Sequence, residues 1–185
     1  RIEGAARLAH VRRQLQAAEL DALLIGIVKR DLPDIPVRIT PWLSDVQALL
    51  DAGADVVAVD ATARARPEAL PELLALIVKG SRLAMADCAT EAEGLAAHGL
   101  GFHIIGTTLS GYTGGEVPKD PDWDLLETLS RQLPRVMCEG RINTPAQVQR
   151  AFALGAWAVT VGTAITRTEL VTGWFNASTS RHETA

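Results

Sequence analysis

Two residues of this 185-residue chain have the type and setting for proton transfer. Lys29 closes the run Gly26-Ile27-Val28-Lys29-Arg30-Asp31, and Glu139 closes Met137-Cys138-Glu139-Gly140-Arg141. Each follows a short apolar stretch, the pattern of a side chain at the C-terminal end of a buried strand. Side chains alternate along a strand. If Lys29 points inward, Ile25 and Ile27 lie beneath it, and an amine above an apolar floor is partly desolvated, which favours its neutral, basic form. The same lysine reads equally as a surface residue of a loop. Glu139 reads as an acid/base group, or as a salt-bridge partner of Arg141 or Lys29 without a chemical role. The same parity turns Asp87 inward, and turns Cys88 and Cys138 outward as small buried apolar groups.

A second constellation lies near the C-terminus, in Val161-Gly162-Thr163-Ala164-Ile165-Thr166-Arg167. Gly162 permits close backbone approach, Thr163 adds a hydroxyl and an N–H, and Arg167 offers a bidentate fork, a set suited to phosphate. An ordinary strand-to-helix turn with a surface Arg is the plain alternative. Gly106-Thr107-Thr108-Leu109-Ser110-Gly111-Tyr112-Thr113-Gly114-Gly115 is rich in hydroxyls and glycines and holds the only tyrosine, Tyr112. Such a loop in a compact domain is an active-site loop or simply a flexible one. Tyr112 and Arg141 are counted with Asp87 and Arg167 as substrate-binding candidates. The four histidines show no metal-ligand spacing. No Walker or GxGxxG motif is present. Neither metal nor cofactor is expected.

Strand-like runs at residues 23–28, 55–59, 82–86, 103–106, 135–138 and 157–161 alternate with helical stretches at 5–16, 45–51, 68–78, 91–98, 122–132 and 145–154. A strand stub is expected at 1–3. Alternation of this kind gives βαβ units and a parallel sheet. Polar residues end nearly every strand: Lys29, Asp60, Asp87, Thr107, Glu139 and Gly162. An open sheet concentrates its site at one switch point, whereas a closed barrel collects it from many strand ends. The expectation is therefore a (β/α)8 TIM barrel, N-terminally truncated, with the first strand, first helix and most of the second strand absent. Lys29 and Glu139 then end the third and seventh strands, on opposite sides of the mouth. Residues 1–176 form one domain, incomplete at its N-terminus, and 177–185 a polar tail that frays.

Composition bounds the rest. Hydrophobic residues make up 48% of the chain, aromatics only 4%, and the net charge is -4. An acidic chain without a basic stripe is not expected to bind nucleic acid. No apolar run nears the ~20 residues of a membrane span, so no membrane partner is expected. Two cysteines form no disulfide framework, which fits a cytoplasmic protein. A homodimer is the expected assembly, though no motif specifies it.

Taken in order, Arg1-Ile2-Glu3-Gly4, the Lys29 and Glu139 segments, Ala86-Asp87-Cys88-Ala89-Thr90, Ile105 to Thr113, Arg141-Ile142-Asn143-Thr144-Pro145 and Gly155 to Arg167 resemble the bacterial N-acetylmannosamine-6-phosphate 2-epimerase family. The resemblance runs from Arg1 to about residue 176. It implies interconversion of N-acetylmannosamine 6-phosphate and N-acetylglucosamine 6-phosphate without metal or nucleotide, in sialic acid and amino-sugar catabolism. It implies Lys29 as the proton shuttle at C2, Glu139 as its acid/base partner and Asp87 as a sugar-binding group. Arg1 and Arg167 would grip the substrate, with Arg167, Gly162 and Thr163 near the phosphate. The family's first-strand Cys-Gln segment has no counterpart here, and Thr168 stands where members often carry Pro. Two other functions compete: a Schiff-base aldolase, since a barrel lysine also serves that chemistry, and an inactive module that binds sugar phosphates.

Overall fold

The computed structural model describes residues 3–179. The chain begins with helix α1 (Glu3–Ala17) and then alternates β1 (Ile25–Gly26), α2 (Leu43–Asp51), β2 (Val56–Asp60), α3 (Leu70–Lys79), β3 (Leu83–Asp87), α4 (Glu91–Leu100), β4 (Ile104–Gly106), α5 (Trp123–Ser130), β5 (Val136–Glu139), α6 (Pro145–Ala153) and β6 (Ala158–Thr160). A short α7 (Thr163–Thr166) and α8 (Thr168–Thr179) follow. The six strands are all parallel and stand in chain order β1-β2-β3-β4-β5-β6.

Local chemistry sets the helix ends. Thr90 and Thr144 cap α4 and α6 by accepting from the backbone N–H of Glu93 and Gln147, whose side chains reach back to the cap in turn. Asp122 caps α5 by accepting from Leu125 N–H at 3.0 Å. Glycines just past three of the helices adopt left-handed backbone, with φ of 83° at Gly53, 110° at Gly101 and 97° at Gly155.

Alternation along the strands separates two apolar layers. Val56, Ala58, Met85, Ile104 and Met137 form an inner cluster, joined by Ile27 from beside β1 and Ala158 from β6. Side chains from both flanks of the sheet meet one cluster, so the sheet curls around it as part of a barrel wall. The opposite face, with Val57, Val59, Ala84, Ala86, Ile105 and Val136, packs against helix residues such as Leu49, Leu73, Ile77, Leu126 and Leu129. Cys88 and Cys138 belong to this outer layer, as parity predicts, and both are free thiols.

Two expectations need correction. Glu3 begins helix α1 and is no part of a strand stub, while Arg1 and Ile2 lie outside the described residues. The apolar segment at 23–28 forms only the two-residue strand β1, because the chain doubles back. Thr40 N–H donates to Val28 O at 2.8 Å, Arg30 N–H donates to Arg38 O at 2.8 Å, and Lys29 bridges antiparallel to Ile39. The returning segment in turn accepts from Asp60, whose N–H donates to Ile39 O at 2.9 Å. Residues 38–40 thus stand between Lys29 and the end of β2 and take the pairing that a longer β1 would make. Helix α8 extends through Thr179; 180–185 fall outside the described residues.

Candidate active site

The inward strand parity that carries Val56, Met85 and Met137 also carries Asp60, Asp87 and Glu139 at the C-terminal ends of β2, β3 and β5. In register, Asp60 pairs with Asp87, Asp87 with Gly106 and Glu139 with Thr160. Above them opens a cavity of about 500 Å³. Lys29, Glu139, Tyr112, Arg141, Gly162 and Thr163 all line it. Lys29 and Glu139 come from segments four strands apart, so they face the cavity from different sides.

Asp87 is buried beneath the cavity wall and does not line it. It accepts a hydrogen bond from Thr108 Oγ1 at 2.6 Å, and Thr108 does line the cavity. Arg167 is outside the lining and pairs with Glu169. Arg1 lies outside the described residues. Lys29 is solvent-exposed, contrary to the desolvated amine expected above Ile27. The physical reason is its place in the returning loop at the β1 flank, where no further strand among the described residues covers it.

Glu139 is fixed at its backbone by Thr107. Its N–H donates to Thr107 Oγ1 at 3.1 Å, and that hydroxyl donates to Glu139 O at 3.0 Å. Burial raises the Glu139 carboxyl above its ordinary range, against the opposing pull of the Thr160 hydroxyl, the Lys29 charge and the Thr108 hydroxyl. Asp87 is pushed well above the carboxylate range by burial first, then by the charge of Glu139. Two desolvated carboxyls that feel each other's charge favour a state in which one of them keeps its proton. Such a pair can donate or accept a proton at a higher pH than isolated surface carboxylates can.

Sequence reasoning missed a basic rim. Arg30, Arg38 and Arg64 line the cavity alongside Lys29 and Arg141. Arg64 pairs at 2.6 Å with buried Asp60, and Arg30 pairs with buried Asp45. Arg38 pairs at 3.4 Å with Asp31, which also lines the cavity, so each of the three guanidinium groups at the rim already has an acidic partner. The available signal was Asp60, which ends its strand at the parity of Asp87. Arg141 makes no ion pair with Glu139 in this arrangement. It donates instead to Ser110 O at 2.6 Å and Asp120 O at 2.7 Å, and its guanidinium stands over the Tyr112 ring at 5.4 Å. Arg141 therefore anchors the loop that carries Tyr112. Among the described residues no group of three or more His, Cys, Asp or Glu could hold a metal ion, and no helix is long and apolar enough to cross a membrane.

A curled parallel β/α sheet with titratable side chains gathered at its strand ends, beneath an arginine-rimmed cavity, defines a barrel-type protein with its site in the usual enzyme position. The profile of the family described as "Putative N-acetylmannosamine-6-phosphate epimerase" matches residues 1–181, and the chain belongs to that family. It is similar to 2-epimerases of the same description from Proteus mirabilis, 56% identical over 84% of this chain and 67% of the relative, and from Klebsiella pneumoniae, 51% identical over 96% and 74%. The solved N-acetylmannosamine-6-phosphate 2-epimerase from Clostridium perfringens superposes with a TM-score of 0.83 at 37% identity, covering 93% of this chain and 83% of that one. The YdjI aldolase from Escherichia coli is similar at a TM-score of 0.62 but only 12% identity, a likeness of fold alone that lends the aldolase reading no support.

Proposed function

We propose that this chain interconverts N-acetylmannosamine 6-phosphate and N-acetylglucosamine 6-phosphate in the cytoplasm, and that its six β/α units are the third to eighth of a (β/α)8 barrel. The observation that carries the chemistry is the approach of Lys29 and Glu139 to one cavity from different strands. Ring opening exposes an aldehyde at C1 and acidifies the C2 proton. Removal of that proton leaves an enolate, and reprotonation on the opposite face inverts C2. Inversion needs proton-transfer groups with access to both faces, which two groups on opposed strands supply. Glu139, with its raised carboxyl, is suited to hold and return a proton. Lys29 reaches the same cavity from the β1 side, as its partner on the other face of C2.

The 6-phosphate would be held by the Gly162–Thr163 turn, and by Arg167 once its pair with Glu169 opens. Arg141 and Tyr112 would close over the sugar, Asp87 would act on it from beneath, and Arg1 would add a further contact. The experiment is turnover in D₂O followed by proton NMR: the wild type should place deuterium at C2. Lys29→Ala should slow epimerisation by about 10²–10⁴-fold, the range for loss of one acid/base group. Near-normal turnover by that variant would remove Lys29 from the reaction.

A further inference from the structure

Proton transfer at C2 has a requirement that Lys29 and Glu139 do not meet. As the C2 proton leaves, negative charge develops on O1, and such an oxyanion is stabilised by a hydrogen-bond donor fixed in place beforehand. Only C1 separates O1 from C2, so that donor belongs beside a proton-transfer group, over the same part of the sheet. Arg64 has this position. It lines the cavity together with Lys29. Its anchor, Asp60, stands one chain segment away from Lys29: Lys29 bridges to Ile39, and Asp60 N–H donates to Ile39 O at 2.9 Å.

The loop that carries Arg64 is held on several sides. Arg64 Nη2 donates to Asp60 Oδ2 at 2.6 Å. Thr62 Oγ1 gives its own proton to Asp60 Oδ1 at 2.6 Å and accepts from Arg64 Nε at 2.9 Å. Arg66 Nη1 donates to Asp60 O at 2.6 Å, and Arg66 also donates to Thr62 O. Glu93 of α4 accepts from Ala63 N–H at 2.7 Å. Two bonds thus fix the Arg64 guanidinium, and its Nη1 has no hydrogen-bond partner among the described residues. The other arginines of the rim are committed elsewhere. The Arg38 side chain is 68% exposed. Arg30 gives Nε and Nη2 to Asp45 of α2, in the helix layer. Arg141 gives Nε and Nη1 to backbone carbonyls of the Tyr112 loop. Asp60, by contrast, has the inward parity and draws Arg64 over the strand ends.

We propose that Arg64 is a catalytic residue whose free N–H donates to O1 of the open-chain sugar and stabilises the enolate. The inference rests on the epimerase reading. The step balances. The C2–H bond breaks and its proton passes to the acid/base group on that face. The C–H electron pair forms the C1–C2 π bond, and the carbonyl π pair moves onto O1. Return of a proton on the other face reverses these shifts. Arg64 donates a hydrogen bond throughout and transfers no proton. Its pairing with Asp60 suits this role: a guanidinium already neutralised by a buried carboxylate is a directed donor that calls for no permanent anion in the cavity.

The test is Arg64→Met in the full chain, with Arg64→Lys beside it. Should a buried Asp60 without its partner prevent folding, Arg64→Met is made in an Asp60→Asn background and measured against Asp60→Asn alone. Epimerisation of both 6-phosphosugars is followed, together with loss of C2 protium from each in D₂O by proton NMR. Arg64→Met should lower kcat about 10²–10³-fold, the cost of one oxyanion donor, with KM little changed. Arg64→Lys, which keeps a donor, should fall less. One enolate serves both directions, so C2 exchange should slow by a similar factor for the two epimers. Slowing confined to one epimer would overturn the inference, since it marks a group that serves one face. A raised KM with kcat unchanged would also overturn it, and so would a kcat near the wild-type value. An inactive wild type would overturn the epimerase reading and this inference with it, whereas an active wild type with an equally active Arg64→Met overturns the inference alone.

Discussion

Asp60 offers a demanding test of how the β1 flank is held. Its carboxylate is buried and accepts four hydrogen bonds: Arg38 N–H at 3.1 Å, Thr62 N–H at 3.1 Å, Thr62 Oγ1 at 2.6 Å and Arg64 Nη2 at 2.6 Å. Asp60→Ala leaves two backbone donors unmet and Arg64 without its partner. Breaking a buried ion pair costs about 3–5 kcal/mol. The Arg64 side chain is 21% exposed, so water recovers part of its charge and the lower end, about 3 kcal/mol, applies. For a chain of this size that is a fall in Tm of roughly 6–12 °C. Asp60→Asn keeps one oxygen for Thr62 and loses the charge, so about 1.5–3 kcal/mol is expected. Arg38 belongs to the segment paired with Lys29, so both variants should also lose epimerisation more steeply than stability alone predicts. Urea unfolding followed by circular dichroism measures the first effect, and turnover of the 6-phosphosugar measures the second. Losses below about 0.5 kcal/mol for both variants, the ordinary surface range, would refute the claim that Asp60 organises this flank.

Two further perturbations follow from the buried acids and thiols. The folded pKa of Asp87 is raised, so its contribution to stability is present below the unfolded value, about 3.9, and is lost as pH rises through the folded value. The stability of the wild type relative to Asp87→Asn should therefore fall from about pH 4 upward, by at most about 1.4 kcal/mol per pH unit for one proton. Urea titrations across that window check it, and a difference that grows with pH would contradict the burial argument. Burial also pushes the Cys138 thiol up to about 11, and that of Cys88 well above its usual value. At about pH 8 the native protein should resist iodoacetamide and take up label only in urea. Rapid labelling of the native state, read by mass spectrometry, would show that the outer layer opens readily.

Periodicity made much of this legible. Each strand end named from sequence falls within two residues of an observed one, except where β1 stops early. The inward parity of Asp87 and Glu139, and the outward parity of the cysteines, follow from side-chain alternation alone. The glycine caps are equally local. What the sequence did not disclose is long-range pairing. Residues 31–36, Asp-Leu-Pro-Asp-Ile-Pro, read as a loop, and nothing in them announces that 38–40 return to pair with 28–30. The Arg30–Asp45 pair spans that return, whereas Arg64 and Asp60 stand only four residues apart. The exposure of Lys29 depends on which strand flanks β1, a property of the sheet and not of the segment. Helix α8 escaped notice because Leu170, Trp174 and Phe175 sit among small and polar residues, and all three remain largely exposed.

The unbroken strand order has a consequence for assembly of the chain from pieces. Among the described residues, each strand hydrogen-bonds only to the strand before it and the strand after it in sequence. A cut in the exposed segment around Gly114 and Gly115, whose backbones turn at φ of 154° and 75°, would sever the covalent link between β4 and β5 while leaving every ladder within each piece intact. The two halves would meet along a single edge, β4 against β5, with the Thr107–Glu139 hydrogen bonds as part of the seam. A tagged pair of such fragments, expressed together, is therefore suited to complementation, with Lys29 and Glu139 brought to one cavity only when the halves reunite.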